Sequence, residues 1–425
     1  MLNSNFKVTL DSKPLAYLLA FTVYSTELFK HFIFTSYFAI DIYLISLSVL
    51  GILFFKMNKK LFILISGIIL ILFFSSLLLF LYNFHFENFT RQGIGIFLVY
   101  LGLGSLVLRA DKSELIKAYM LISLFVAIFG LIQWAFSYLG IADIIIKETG
   151  QLDSITYEPS HYAIAASPAL FLFIRSFLIN ISLQKLITML VMILSFLLTF
   201  SLTAYVMLFL IIFYIIIARK KLILFFSCFL FLVIIFGNFF KFSNLNSFKK
   251  LSTIEKKISS FYKNIENLRR INTMEYPKNL TIFSLLINLN AAKVTLYSGR
   301  IFGNGFGSQS QVIEESVPMK FQKTYYFKSQ IYNSNGFSLF IRVISEFGII
   351  GFILFIFFII KGIFRNQLSI IVYDIWWLLG SIHMISLILK TTSFIDYGTP
   401  IFLLVPLLIK KEIFLNEKDN AVIHN

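Results

Sequence analysis

Charge is scarce in this chain. Only 14% of its 425 residues are Asp, Glu, Lys or Arg, against 58% hydrophobic, and a water-soluble fold cannot cover so much apolar surface with so few charges. Cysteine is nearly absent: Cys228 stands alone inside an apolar run, so neither a disulfide framework within the chain nor a thiolate metal site is available. The histidines His31, His85, His161, His383 and His424 are scattered, with no pair at helical ligand spacing, so no zinc or di-metal centre and no cofactor is expected. Acid is scarcer than base, giving a net charge of +16. In a chain of mean hydropathy +0.84 that excess suits membrane topology and anionic lipids, and no nucleic-acid motif accompanies it.

Long apolar runs are what the sequence has instead. A span takes roughly 20 mainly apolar residues, and on that measure the runs give an all-α polytopic membrane protein of about twelve transmembrane helices. They fall near 15–35, 37–55, 61–81, 93–108, 117–139, 159–179, 186–201, 203–218, 222–240, 337–360, 368–389 and 397–409. Basic residues occupy alternate connections: Lys56, Lys59 and Lys60; Arg109 and Lys112; Lys185; Arg219, Lys220 and Lys221; Lys361 and Arg365; Lys410 and Lys411. The positive-inside rule assigns these connections and both termini to the cytoplasm. A cleaved signal peptide is not expected, because Asp11 lies in the basic N-terminal region and no small-residue cleavage site follows.

The connections near 82–92, 140–158, 241–336 and 390–396 then fall outside. The 241–336 stretch is polar and far longer than an ordinary connection, so it reads as a small external subdomain. It divides the chain into helices over 1–240, the loop over 241–336, and helices with a cytoplasmic tail over 337–425. No inverted repeat of the transporter kind is evident. The 52 phenylalanines are spread over all the spans, which reads as lipid-facing bulk.

Three stretches carry candidate chemistry. In "TYEPSHYA", Pro159 suits the first turn of a helix, with Glu158 at its N-cap edge, where the helix dipole favours an anion. Glu158 is there either a cap or a functional carboxylate; His161 lies one turn on along the same face, and Pro168 removes a hydrogen bond deeper in. In "SGRIFGNGFGSQS", Gly303, Gly305 and Gly307 alternate behind Arg300. That pattern lets backbone amides approach an anion beside a guanidinium, or simply turns the chain. Arg91, Arg269 and Arg270 are further external guanidiniums, a group suited to diphosphate. In "SNGFSLFIRVISEFGIIGF", Arg342 and Glu346 at i,i+4 read as an intramembrane ion pair, with Gly348 and Gly351 allowing close packing. Asp374, Trp376, Trp377, His383 and Asp396 are weaker candidates.

The order of these stretches resembles the O-antigen polymerase and ligase superfamily of bacterial envelope glycan assembly, in particular its Wzy-type polymerases. "TYEPSHYA" is the most specific match; the glycine turn and the E-x-G-x-x-G span are supporting ones. Ligases of the superfamily typically carry a His-Asn pair before that span, and here the corresponding residues are Phe337 and Ser338. They also usually carry an arginine where this chain reads "FSLTAYV" around Ser201 and Thr203. Both departures favour polymerase over ligase.

The resemblance implies a fold like the membrane glycosyltransferases of the GT-C kind, in the bacterial inner membrane. It implies metal-independent transfer of a glycan from undecaprenyl pyrophosphate to the sugar of an incoming lipid-linked repeat unit, with a chain-length regulator as a further partner. Under that reading Glu158 is the base, or orients His161 as base. Arg300 with Arg270 or Arg269, and Arg91, holds the pyrophosphate, with Gly303 and Gly305 shaping the turn. The rival classes are an O-antigen ligase and a lipid-linked-oligosaccharide flippase; a flippase would have shorter external loops and charges lining a central cavity.

Overall fold

The computed structural model describes residues 12–32, 38–54, 61–63, 65–67, 86–139, 151–152, 154–156, 158–218, 280–316, 338–365, 371–390 and 394–409. These form helices α1 (Ser12–Phe32), α2 (Phe38–Phe54), α3 (Phe86–Arg109), α4 (Lys112–Tyr138), α5 (Pro159–Ile179) and α6 (Leu183–Leu198). The series continues with α7 (Leu202–Ala218), α8 (Leu280–Tyr297), α9 (Gln309–Ser316), α10 (Leu339–Ile363), α11 (Val372–Lys390) and α12 (Thr399–Leu408). No strand occurs among the described residues. Five helical segments, 92–109 in α3, 112–137 in α4, and all of α5, α10 and α11, are long and apolar enough to cross a membrane. The chain is therefore a polytopic membrane protein. The expected span over 222–240, and all but six residues of that over 61–81, lie outside the described residues.

Helix boundaries follow local chemistry. Asp111 caps α4 by accepting the amides of Ser113 and Glu114, and Ser182 caps α6 through the amide of Lys185. Pro159 occupies the first turn of α5. On the outer surface of the bundle, apolar side chains recur at helical spacing: Leu121, Phe125, Ile128, Ile132 and Phe136 on α4, and Ile350, Ile353, Leu354, Phe357 and Ile360 on α10 are exposed. Such stripes suit acyl chains. Phenylalanine is not confined to them, since Phe171, Phe196 and Phe402 are buried in the core.

The centre of the bundle is α5, which packs against α4, α6, α7 and α11. Its side chains from Tyr162 to Ile174 are all buried, and many are small or polar, so neighbours approach closely and share hydrogen bonds. Pro168 lacks an amide hydrogen, which leaves the Ile164 carbonyl without its helical partner. Side chains serve this turn instead. Ser167 Oγ donates to Ala163 (2.5 Å) and the Tyr119 hydroxyl to Ala165 (2.5 Å). Nδ1 of His383 approaches the Ile164 carbonyl without full hydrogen-bond geometry, while its Nε2 meets Thr399 Oγ1 at 3.1 Å. A Pro in a span is tolerated under such conditions.

Long-range contacts sort the two ends of the bundle. At one end Trp376 Nε1 donates to the Lys112 carbonyl (3.2 Å), the Tyr214 hydroxyl to that of Ile363 (2.7 Å), and Arg365 pairs with Asp374 (3.5 Å). Arg109, Lys112, Lys117 and Lys361 gather there too, with Lys361 Nζ 4.1 Å from the Trp377 ring centre. The opposite end holds the start of α5, the end of α11 and the start of α10.

Within the 241–336 stretch, residues 280–316 form a helical hairpin. Asn290 Nδ2 donates to the Ser316 carbonyl (2.8 Å), tying α9 back along α8. Ala292 packs with Ile341 and Ile344 of α10, and the turn after α8 reaches Gly348. This part of the loop therefore runs beside the first half of α10.

Candidate functional site

The site at the second end is built from the segment before α5. Residues 151–152 and 154–156 are pinned into the bundle rather than arched over it. The Leu152 amide donates to the Leu198 carbonyl (2.9 Å) and Ser154 Oγ to that of Val126 (2.6 Å). Ser154 takes a positive φ of 55° and is wholly buried. Thr156 Oγ1 then donates to the Glu158 carbonyl (3.0 Å), which also accepts the amide of His161. The backbone of Glu158 is thus fixed from both sides.

Its side chain does not cap the helix. Glu158 stands at the N-cap position of α5, yet its carboxylate accepts no backbone amide. It turns to Lys390, the last residue of α11, with Lys390 Nζ 3.1 Å from Oε2. Ser160 Oγ donates to the same oxygen (3.2 Å), and His161 Nε2 is 4.0 Å away. The imidazole of His161 packs on the Tyr397 ring, with centres 5.1 Å apart. Tyr397 is itself buried and held at φ 56° just before Gly398 opens α12. Burial pushes the Glu158 carboxyl up, but the Lys390 charge and the nearby His161 imidazole, with hydrogen bonds from Lys390 and Ser160, outweigh it. The net result is a carboxyl below its usual range.

A second polar cluster lies on α10. The ion pair expected at i,i+4 is present: Arg342 Nε is 3.0 Å from Glu346 Oε1, and both side chains are buried. A terminal nitrogen of Arg342 donates to Gln92 Oε1 on α3, and its guanidinium lies 4.8 Å from the Phe394 ring centre. The carbonyl of Phe394 in turn accepts the Tyr100 hydroxyl (2.8 Å). The amides of Gly307 and Gln309 lie close to the Glu346 carboxylate, whose Oε2 has no partner within hydrogen-bond geometry.

The glycine turn docks against this cluster. At Gly348 the backbone of α10 breaks, with φ 62° and ψ −152°, a conformation that strongly favours glycine. The Asn304 amide donates to the Ser345 carbonyl (2.9 Å) and the Gly305 amide to that of Glu346 (3.0 Å). A Cβ on Gly303 would stand 2.4 Å from the Glu346 carbonyl oxygen. The glycines therefore let a turn enter a helix break, and the Gly303 and Gly305 amides are taken by protein carbonyls, that of Gly303 by Arg300. Arg300 donates to Asn304, which donates onward to Thr295 Oγ1 (2.6 Å). What this turn presents to an anion is the Arg300 side chain, which is partly exposed.

Of the residues singled out in the sequence, Glu158 and His161 are brought together, and Arg300 sits with the α10 cluster. Arg91 lies in α3, with its side chain outside the described residues; Arg269 and Arg270 also lie outside them. The weaker candidates have structural partners. Asp374 holds Arg365, Trp376 bonds the Lys112 backbone, His383 serves the Pro168 turn, and the Asp396 carbonyl accepts Thr399 Oγ1 (2.6 Å). Sequence reasoning missed Lys390 and Tyr397. A signal for Lys390 was present: a single lysine ending a helix on the side that the positive-inside rule leaves poor in cations.

Among the described residues no three His, Cys, Asp or Glu side chains gather as a metal site would need. The fold and this polar end define an integral membrane protein with a carboxylate, ammonium and imidazole cluster beside a buried ion pair. No family model, no curated protein and no solved structure matches the chain.

Proposed function

We propose that the chain polymerises undecaprenyl-pyrophosphate-linked oligosaccharide repeat units into O-antigen, or a similar surface polysaccharide, in the bacterial inner membrane. The observation that carries this reading is the Glu158 cluster. A carboxylate turned away from its helix end is paired with Lys390 at 3.1 Å and has an imidazole 4.0 Å away. A carboxylate so turned, with an imidazole beside it, is placed to take a proton from a sugar hydroxyl, and the lysine holds it ionised in the resting protein. In the proposed reaction the acceptor hydroxyl oxygen attacks the anomeric carbon of the donor glycan. The carbon–oxygen bond to the lipid pyrophosphate breaks, that anion departs, and the hydroxyl proton passes to Glu158, directly or through His161.

Cations must meet the departing charge. Arg300 with Arg269 or Arg270, and Arg91, fill that role in this reading, with Gly303 and Gly305 shaping the turn that carries Arg300. The gathering of Arg109, Lys112, Lys117 and Lys361 at the far end of the bundle supports a cytoplasmic assignment for that end, and a periplasmic one for the Glu158 end. Twelve spans with both termini cytoplasmic, a periplasmic 241–336 segment and a GT-C-like arrangement complete the proposal.

Deletion of the gene followed by gel analysis of the surface glycan tests it. A product limited to a single repeat is the expected outcome; a glycan-free core would indicate a ligase, and an unchanged ladder would reject both. Complementation with Glu158→Gln that inserts at normal levels should leave single repeats, and long chains from that variant would remove Glu158 as base.

A further inference from the structure

The two cation–carboxylate pairs at this end of the bundle differ in how they are held. Arg342 is 4% exposed and fastened to Glu346, Gln92 and the Phe394 ring together. Lys390 differs in its exposure. Its side chain is 25% exposed, that of Glu158 is 41% exposed, and it terminates its helix on a flexible four-carbon stem. A partly hydrated pair of this kind is held weakly, whereas a buried guanidinium with several partners is not released without exposing an uncompensated carboxylate.

We propose that Lys390 is an exchangeable cation: Glu158 holds it in the resting protein, and a diphosphate arriving at the site takes it over, leaving Glu158 without its counter-ion. A diphosphate carries more negative charge than one carboxylate and so competes well for a single ammonium. Among the described residues, the groups facing Glu158 are Ser160 and His161 from α5 and Lys390 from α11, with Tyr397 packed on His161. Once Lys390 has moved, burial of Glu158 remains and its strongest opposing charge is gone, so its affinity for a proton rises. This removes a difficulty in the proposed chemistry, where a carboxylate paired with lysine is a poor base. By linkage, each event favours the other: diphosphate binding promotes protonation of Glu158, and neutralising Glu158 promotes diphosphate binding.

The proposal rests on the polymerase reading only for the choice of diphosphate, and binding alone tests it. The full chain in detergent is titrated at neutral pH with inorganic pyrophosphate and with farnesyl diphosphate by calorimetry. Glu158→Gln should bind tighter than wild type, by about fivefold or more for one charge removed at this spacing. Lys390→Met should lose most of the affinity and Lys390→Arg should keep it, with thermal melting verifying that each variant is folded. Tighter binding of farnesyl diphosphate than of pyrophosphate supports a lipid-borne anion; equal binding supports a free one. Wild-type affinity in folded Lys390→Met, or weaker binding in Glu158→Gln, overturns the exchange. Either result can coexist with intact glycan polymerisation, so failure of the exchange is distinguishable from failure of the polymerase reading.

Discussion

Glu158 and Glu346 are both carboxylates ion-paired with a basic side chain, and the two pairs should respond differently to perturbation. Glu158 has a lowered proton affinity because Lys390, His161 and two hydrogen bonds outweigh burial. The stability linked to this group is therefore complete above the ordinary carboxylate range and is lost as pH falls through its depressed value. In Lys390→Met, burial acts with less opposition and the titration moves to higher pH. Infrared difference titration of the carboxylate band, with Glu158→Gln as the blank, reads that shift; an unmoved band would reject Lys390 as its cause. Glu346 is fully buried, so Arg342→Met should destabilise the protein by about 3–5 kcal/mol. Arg342→Met with Glu346→Gln should recover part of that loss, as measured by thermal melting in detergent. The pair on α10 was legible from its i,i+4 spacing alone. The pairing of Lys390 with Glu158 was not, because the two lie more than half the chain apart and no local periodicity connects them.

At the scale of elements, the decisive feature is the helix break that receives a turn. Gly303 and Gly348 occupy the same contact: a Cβ on Gly348 would stand 2.2 Å from the Ile301 carbonyl oxygen, and one on Gly303 2.5 Å from the Gly348 amide. Both also have positive φ. Gly303→Ala and Gly348→Ala should each cost more than about 1–2 kcal/mol from backbone strain alone. The double variant should cost less than the sum, since either change already expels the turn. Additive losses in the melting temperature would mean that the turn and the break are independent. The bounds of α5 were readable because proline at the first turn is a strong local signal, and the expected 159–179 matches α5 to the residue. The break in α10 was not readable, because glycine is common in apolar spans and only the incoming turn reveals why this one leaves the helix. The "GNGFG" repeat suggested amides open to an anion for the same reason: sequence shows that a glycine can approach something, without showing what.

For the molecule as a whole, composition and run lengths carried most of the class, and charge placement carried its polarity. The basic end and the Glu158 end are separated by the length of α5, and the proposed topology, with the basic end cytoplasmic, is open to a direct test. With Cys228 replaced by Ser, a cysteine at Glu315, which is exposed on α9, should react with a membrane-impermeant maleimide in intact spheroplasts. One at Ile181, 70% exposed beyond the end of α5, should react only after permeabilisation. The reverse pattern would invert the topology and move the Glu158 cluster to the cytoplasm. Helices α6 and α7 hold 16 and 17 residues. At 1.5 Å per residue each is shorter than a hydrocarbon core of about 30 Å. The carbonyl of Leu198, which ends α6 just before the Thr199–Ser201 turn, accepts the amide of Leu152 from the segment before α5. The cluster is thus bordered by backbone buried in protein, the setting in which irregular chain is tolerated at membrane depth.

The proline in α5 also bears on the order in which the chain comes together. Helices enter the bilayer in the sequence in which the ribosome delivers them, so α5 arrives after α4 and long before α11. Tyr119 is already waiting for the Ala165 carbonyl, whereas the imidazole that faces the Ile164 carbonyl is still untranslated. The docking of α11 therefore brings that imidazole to the proline turn and Lys390 to Glu158 in one event.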